Sequence, residues 1–223
     1  MPALPKYEAG YHFLTAATFR RTPYFAIPQC ARIFCEELEA ARQQYAFEVI
    51  AFVVMPDHIH LIVGWDAEVS PQLTISKVAW AVKGRSARRI VAYLKRVGQA
   101  SGGAEPSAEG NVRPEGSASG YPHRPPLPRL QSARRPQPRA HRRGWQYRIW
   151  QAGAGYDFNL FTERKLREKI AYIHANPVRA GLARTETDYP WSSAACYAGL
   201  PCSHPVCVAA GEPCCTGQEQ PRG

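Results

Sequence analysis

Two short constellations in this chain have the residue types for metal-assisted chemistry. In His58-Ile59-His60-Leu61-Ile62-Val63, strand alternation puts His58 and His60 on one side, with α-carbons about 6.6 Å apart. Two imidazoles at that spacing can converge on one divalent ion. Further on, Tyr172 and Asn176 lie four residues apart in a helical pattern and face the same way, with Lys165, Glu168 and Lys169 one or two turns back. Each feature alone is ordinary surface architecture. Together they offer what phosphodiester transfer requires. Two histidines and a carboxamide oxygen can hold Mg²⁺ or Mn²⁺ with open positions, which places positive charge on non-bridging phosphate oxygens. A phenol acidified by that environment supplies the in-line nucleophile.

The elements that must position these groups fall in two blocks. Tyr11 to Phe19 alternates, is rich in aromatic and β-branched residues, and predicts a strand. Between Ile27 and Tyr45, Ile33, Phe34 and Leu38 recur at helical spacing among charged residues. Phe47 to Val54 predicts a buried strand, Met55-Pro56-Asp57 a tight turn, and His58 to Val63 its hairpin partner. Leu73 to Val97 predicts a second helix, Trp145 to Trp150 a further strand, and Thr162 caps a helix expected to end near Ala175, before Pro177. Leu166, Ile170 and Ile173 are the apolar stripe of that last helix. The order predicts an α+β fold: a ferredoxin-like antiparallel sheet with helices on one face.

Between the blocks, residues 98–143 carry eight Pro, six Gly and five Ser, and only Val112, Leu127 and Leu130 as aliphatic residues. Such a segment cannot bury enough apolar surface to offset its ordering entropy, so it is expected to be a disordered basic insertion. Its eight Arg against three Glu supply half of the formal charge of +10. The expected organisation is one domain over residues 5–200, split by that insertion, with a disordered tail over residues 201–223.

At 223 residues the chain has room for one ordinary domain. A pI near 9.5 favours polyanionic partners. No apolar run reaches the roughly 18 residues of a membrane span and the N-terminus lacks a signal-peptide pattern, so a cytoplasmic, nucleoid-associated protein without a membrane partner is expected. Seven cysteines make no disulfide framework, and reduced thiols are expected. Cys202, His204, Cys207 and the Cys214-Cys215 pair are spaced too irregularly for a zinc-site prediction.

His58-Ile59-His60 resembles the His-hydrophobic-His signature of the single-tyrosine HUH endonucleases, and residues Tyr172 to Gly181 resemble the nucleophile segment of the REP-associated tyrosine transposases. Trp150-Gln151, Gly155-Tyr156-Asp157 and Trp191-Ser192-Ser193-Ala194 are similar to that family too. Phe158 departs from it, at a position where a basic residue is expected, as does the long insertion. The resemblance covers both blocks, from Tyr11 to Leu200. It implies metal-dependent cutting of single-stranded DNA at or near a hairpin, with a 5′-phosphotyrosine intermediate, a free 3′-OH and strand rejoining. It also implies that His58, His60 and Asn176 hold the metal, that Tyr172 attacks, and that the protein acts as a monomer or homodimer. For DNA binding, Arg85, Arg88, Arg89, Lys165, Lys169 and Arg179 are candidate phosphate contacts, Trp150 and Tyr156 candidate stacking platforms, and Gln151 accompanies them.

Two other functions fit parts of the sequence. A transposase-derived module could bind hairpin or single-stranded DNA without cutting it. A small metallohydrolase would also use H-x-H, but the chain is too short for a barrel and shows no second cluster of Asp and His ligands.

Overall fold

The computed structural model describes residues 10–101, 140–141, 144–145, 148–153 and 155–209. β1 (Gly10–Ala17) is followed by α1 (Pro28–Tyr45), the hairpin of β2 (Glu48–Met55) and β3 (His58–Trp65), and α2 (Ile75–Ser101). A two-residue ladder, β4 (Ala140–His141) with β5 (Gly144–Trp145), precedes β6 (Tyr156–Leu160), α3 (Glu163–Arg179) and the single turn α4 (Ala194–Tyr197). The main sheet runs β2-β3-β1-β6, with every neighbouring pair antiparallel. Strand order and helical crossovers give the expected ferredoxin-like α+β fold.

Pro28 opens α1 at a position where its missing N–H costs nothing, and Ala46 closes it in the left-handed region at φ 52°. Alternation then divides the sheet between two cores. Leu14, Phe52, Val54, Ile59, Leu61 and Val63 face α1 and α2, where Phe34, Leu38, Val78, Val82 and Ile90 seal them. Phe13, Ala51, Val53, Met55 and Ile62 point the other way and meet Leu160 and Ile173. The two crossover helices therefore share one face, and α3 crosses the other, the face that carries His58 and His60.

The outer edge of β2 is closed by chain from beyond α3. Val54 donates to the Trp191 carbonyl at 2.8 Å and Ser193 donates to the Phe52 carbonyl at 3.0 Å. The Tyr189 and Tyr197 hydroxyls cap the Val54 and Ile50 carbonyls, both at 2.8 Å. Pairing of this kind removes an edge that would otherwise template association.

Several boundaries differ from expectation. α2 runs through Gly98 to Ser101, and α3 continues past Pro177 to Arg179. A proline here removes only the donor to the Ile173 carbonyl, and its ring is buried. The strand expected over residues 145–150 is not continuous: Gly144–Trp145 pairs with Ala140–His141, Arg148 and Ile149 are irregular, and Trp150 makes a lone bridge to Thr18. The sheet is instead completed by β6. Gly155 permits this close approach, because its φ is +99° and a Cβ there would meet the Thr15 carbonyl oxygen at 2.3 Å.

Residues 201–209 are not a structureless tail: Val206 and Val208 are buried and Ala209 donates to the Val49 carbonyl. Alternating valines suit them to pair beside β2. Cys196 and Cys202, with α-carbons 5.9 Å apart, are joined in a disulfide rather than reduced. Among the described residues Cys30, Cys35 and Cys207 are free. The rest of the expected insertion, residues 102–139 and 142–143, and the tail from residue 210 lie outside the described residues.

Candidate functional site

The register fixes the site's floor. His60 lies opposite Thr15 on β1 and Val53 on β2, while His58 lies opposite Ala17 and Met55. The two imidazoles, on one face of β3, have ring centroids 4.9 Å apart. Each has one nitrogen already engaged. His60 Nδ1 and the Thr15 hydroxyl are 2.8 Å apart, and His58 Nδ1 is 2.6 Å from an Asp57 carboxylate oxygen. Such bonds orient a ring and leave its Nε2 for another partner. Burial, then the neighbouring His58, Arg21 and Lys169, push His60 down to about 4, so its imidazole is neutral at neutral pH.

The roof is α3, whose N-terminus is set by the Thr162 side chain accepting from the Lys165 backbone. It brings the Tyr172 ring to 5.3 Å from the His60 ring and 6.2 Å from the Phe13 ring, both edge-on. Lys169 Nζ lies 5.3 Å from the Tyr172 ring and the Arg179 guanidinium 5.9 Å from it. Asn176, one turn after Tyr172, is half-buried and donates through Nδ2 to the Tyr172 carbonyl at 2.7 Å. The helix is clamped from behind: His174 Nε2 and the Ser193 hydroxyl are 2.8 Å apart, and that hydroxyl also accepts from the Phe52 backbone N–H at 3.0 Å. This gives the Trp191-Ser192-Ser193-Ala194 segment its physical task.

The structure thus brings His58, His60, Tyr172, Lys169 and Arg179 to one face within a single chain, with Asn176 one turn beyond Tyr172 and its amide held by the Tyr172 carbonyl. The other candidates are distributed differently. Lys165 is partly exposed along α3 and paired with Glu168 at 3.0 Å. Gln151 is exposed, and its backbone donates to the Ala17 carbonyl. Tyr156 lies opposite Thr15 in β6, in the same cross-strand row as His60, and its side chain is outside the described residues. Arg85, Arg88 and Arg89 lie on α2, across the sheet; Arg89 is engaged by Glu36 and Glu37 and Arg85 by Gln44. Trp150 was expected to stack on bases but is buried at 7% exposure among Phe25 and Phe34, with its ring nitrogen toward Ser86. An aromatic so enclosed serves packing.

Sequence reasoning missed Thr15, Asp57 and Arg21. Arg21 pairs with Asp57 at 3.6 Å, and Arg20 and Arg21 both sit at φ 54°, a conformation unfavourable for an L-residue. Asp57 had been visible only as a turn residue, and Thr15 gains its role from a pairing across 45 positions. Among the described residues, the one group of three metal-capable Cys, His, Asp or Glu side chains is Cys196, Cys202 and His204, and the disulfide occupies both of its thiols.

A paired-histidine strand thus faces a tyrosine-bearing helix on a ferredoxin-like sheet, and known proteins resemble this chain in sequence over its first block and in fold. Residues 5–104 are similar to the family model described as "Transposase IS200 like". The ISDra2 transposase TnpA of Deinococcus radiodurans is 34% identical over 88 residues, 39% of this chain and 59% of that protein. The match therefore spans about three-fifths of that relative's length. The solved structure of a REP-associated tyrosine transposase bound to a REP hairpin shares the fold, with a TM-score of 0.55 at 17% identity over 95% of this chain and 98% of that one. The resemblance drawn from the sequence is matched by these similarities, and the expected fold is borne out.

Proposed function

We propose that this protein is a metal-dependent single-strand DNA endonuclease and strand transferase that cuts at or near hairpin DNA through Tyr172. The observation that carries this reading is the 5.3 Å approach of the Tyr172 ring to the His60 ring, beside His58, in one chain. His58 and His60, each with Nδ1 engaged and Nε2 left for a ligand, fit a divalent ion, and Asn176, whose amide nitrogen donates to the Tyr172 carbonyl, would offer its oxygen as a third ligand. When bound, Mg²⁺ or Mn²⁺ supplies positive charge to the non-bridging oxygens of the scissile phosphate.

The chain's own groups do the rest. The Tyr172 hydroxyl gives up its proton, its oxygen bonds to phosphorus, and the bond from phosphorus to the 3′-oxygen breaks. That oxygen takes a proton and leaves as a free 3′-OH, while the 5′-phosphate stays on the tyrosine. Attack by a 3′-OH reverses the sequence and rejoins strands. Lys169 and Arg179, beside the Tyr172 ring, are placed to hold the phosphate. Similarity to a transposase solved with a REP hairpin supports hairpin DNA as the substrate, and the basic balance of the chain supports a nucleic-acid partner in the cytoplasm, close to the nucleoid. Among the described residues no helix is long and apolar enough to cross a membrane.

The test is incubation with end-labelled hairpin DNA and Mg²⁺ or Mn²⁺, followed by denaturing electrophoresis. The intact protein should form a denaturant-resistant adduct, and Tyr172→Phe should reduce it at least about a thousandfold. An equal adduct from Tyr172→Phe removes the nucleophile assignment. Hairpin binding without adduct or product under any divalent ion leaves a DNA-binding module in its place.

A further inference from the structure

Beside Tyr172, on the side away from His58, a small open pocket of about 130 Å³ is lined by Phe13, Phe158, Lys165 and Lys169. Phe158 is directly opposite Phe13 in the β1–β6 register, one row along the sheet from the Thr15 and His60 pair. β6 lies at the end of the main sheet, so its Phe158 side chain, 38% exposed, has no strand beyond it among the described residues. Phe13 is buried at 4% and forms the floor. Lys169 Nζ bridges the pocket and the catalytic candidate: it is 5.2 Å from the Phe13 ring and 5.3 Å from the Tyr172 ring. Phe161, at the end of β6, is 67% exposed.

We infer that this pocket seats one unpaired nucleotide flanking the scissile phosphate, with its base against Phe158 and its phosphate on Lys165 and Lys169. The inference rests on the function proposed above and names a substrate contact that the function does not require. The chemistry selects the occupant. An aromatic wall offers stacking to any base, and two ammonium groups at its rim match the charge of a phosphodiester. A volume well below that of a drug-sized site suits one ring system. No lining side chain offers a hydrogen-bond acceptor to read a base edge, so the contact is sequence-tolerant. The exposed pair of Lys165 with Glu168 is too weak to hold the lysine from a phosphate. Single exposed phenylalanines are commonplace on protein surfaces; a phenylalanine between two lysines and next to the nucleophile candidate is positioned for a strand that enters over β6.

The test uses the full chain and hairpin or single-stranded oligonucleotides in which 2-aminopurine is walked through the positions flanking the cut. Binding of the unaltered protein should quench fluorescence at one flanking position. Phe158→Ala should abolish that quench and weaken binding about tenfold, and Phe158→Tyr should restore both. Lys165→Gln should lower the slope of log affinity against log salt by about 0.7. Thermal unfolding of the same samples verifies that each variant is folded, and the Tyr and Gln variants decide the matter should the alanine variant unfold. Unchanged quench and affinity in folded Phe158→Ala overturns the pocket alone. A persistent adduct in Tyr172→Phe overturns the nucleophile while the pocket stands, and absence of DNA binding by the unaltered protein overturns both.

Discussion

On the face of the sheet under α1 and α2, Leu14, Phe52, Leu61 and Val63 meet Phe34, Leu38, Val82 and Ile90, and Arg89 of α2 pairs with Glu36 and Glu37 of α1. On the opposite face, under α3, the same strands present His58, His60, Thr15 and Phe13 to a tyrosine and two cations. A sheet one residue thick thus separates an apolar core from a face where a second, smaller apolar core of Ala51, Val53, Ile62 and Ile173 adjoins the polar row of Thr15, His58 and His60. The lesson is that alternation lets one strand serve both: moving the register of β3 by one residue would bury both histidines against α1 and α2 and turn Ile59 and Leu61 toward α3. Stability and activity should therefore be separable by face.

The largest effect should come from breaking the polar side. His60→Ala should reduce metal-supported cleavage at least about a hundredfold, and Thr15→Val, which frees the ring it orients, by about ten- to a hundredfold. Cleavage of labelled DNA against metal concentration measures both, and Thr15→Val should act mainly through weakened metal dependence. Loss of fold in Thr15→Val would instead make the hydroxyl structural and blur the division of faces.

Next comes the dry side. Phe34→Ala, at 1% exposure, should cost about 3 to 5 kcal/mol and lower the melting temperature by on the order of 10 °C. Metal binding by the variant, measured by titration below its melting point, should be unchanged. A parallel loss of metal affinity would show that the faces are coupled.

The smallest effect sharpens the comparison through pH. Burial holds His60 and His174 down at about 4 in the fold, against about 6.5 when unfolded. The unfolded chain therefore binds more protons between these values, and stability should be full above about pH 6.5 and fall as pH drops toward 4. Each histidine contributes a slope of up to about 1.4 kcal/mol per pH unit there. Denaturant midpoints at pH 7 and pH 5 measure it, and His174→Gln, which keeps a partner for Ser193, should flatten the dependence. A midpoint independent of pH over this range would contradict the buried, neutral assignment.

What the sequence made legible follows from range. Strand alternation placed both histidines on one side of β3, and helical spacing aligned Tyr172 with Asn176, because both patterns act over a few residues. β6 was harder to see: it has only five residues, two of them Asp157 and Asn159, which disfavour strands, and it follows two glycines. Pro177 signalled an early helix end that its burial overrides. Trp150 stood in a motif suggesting DNA contact, yet only the bridge to Thr18 shows that it turns into the core. The β2 edge closure by Trp191 to Ser193, and the Thr15 and Asp57 supports of the histidines, depend on tertiary pairing or on which way a side chain turns, and neither leaves a local pattern.

The most direct measurement is to digest the covalent protein–DNA adduct formed with Mg²⁺ or Mn²⁺ and map the linked peptide by tandem mass spectrometry. The expected product is a nucleotide joined by its 5′-phosphate to Tyr172, in the peptide that also contains His174 and Asn176. Attachment at any other residue, or through a 3′-phosphate, would contradict it.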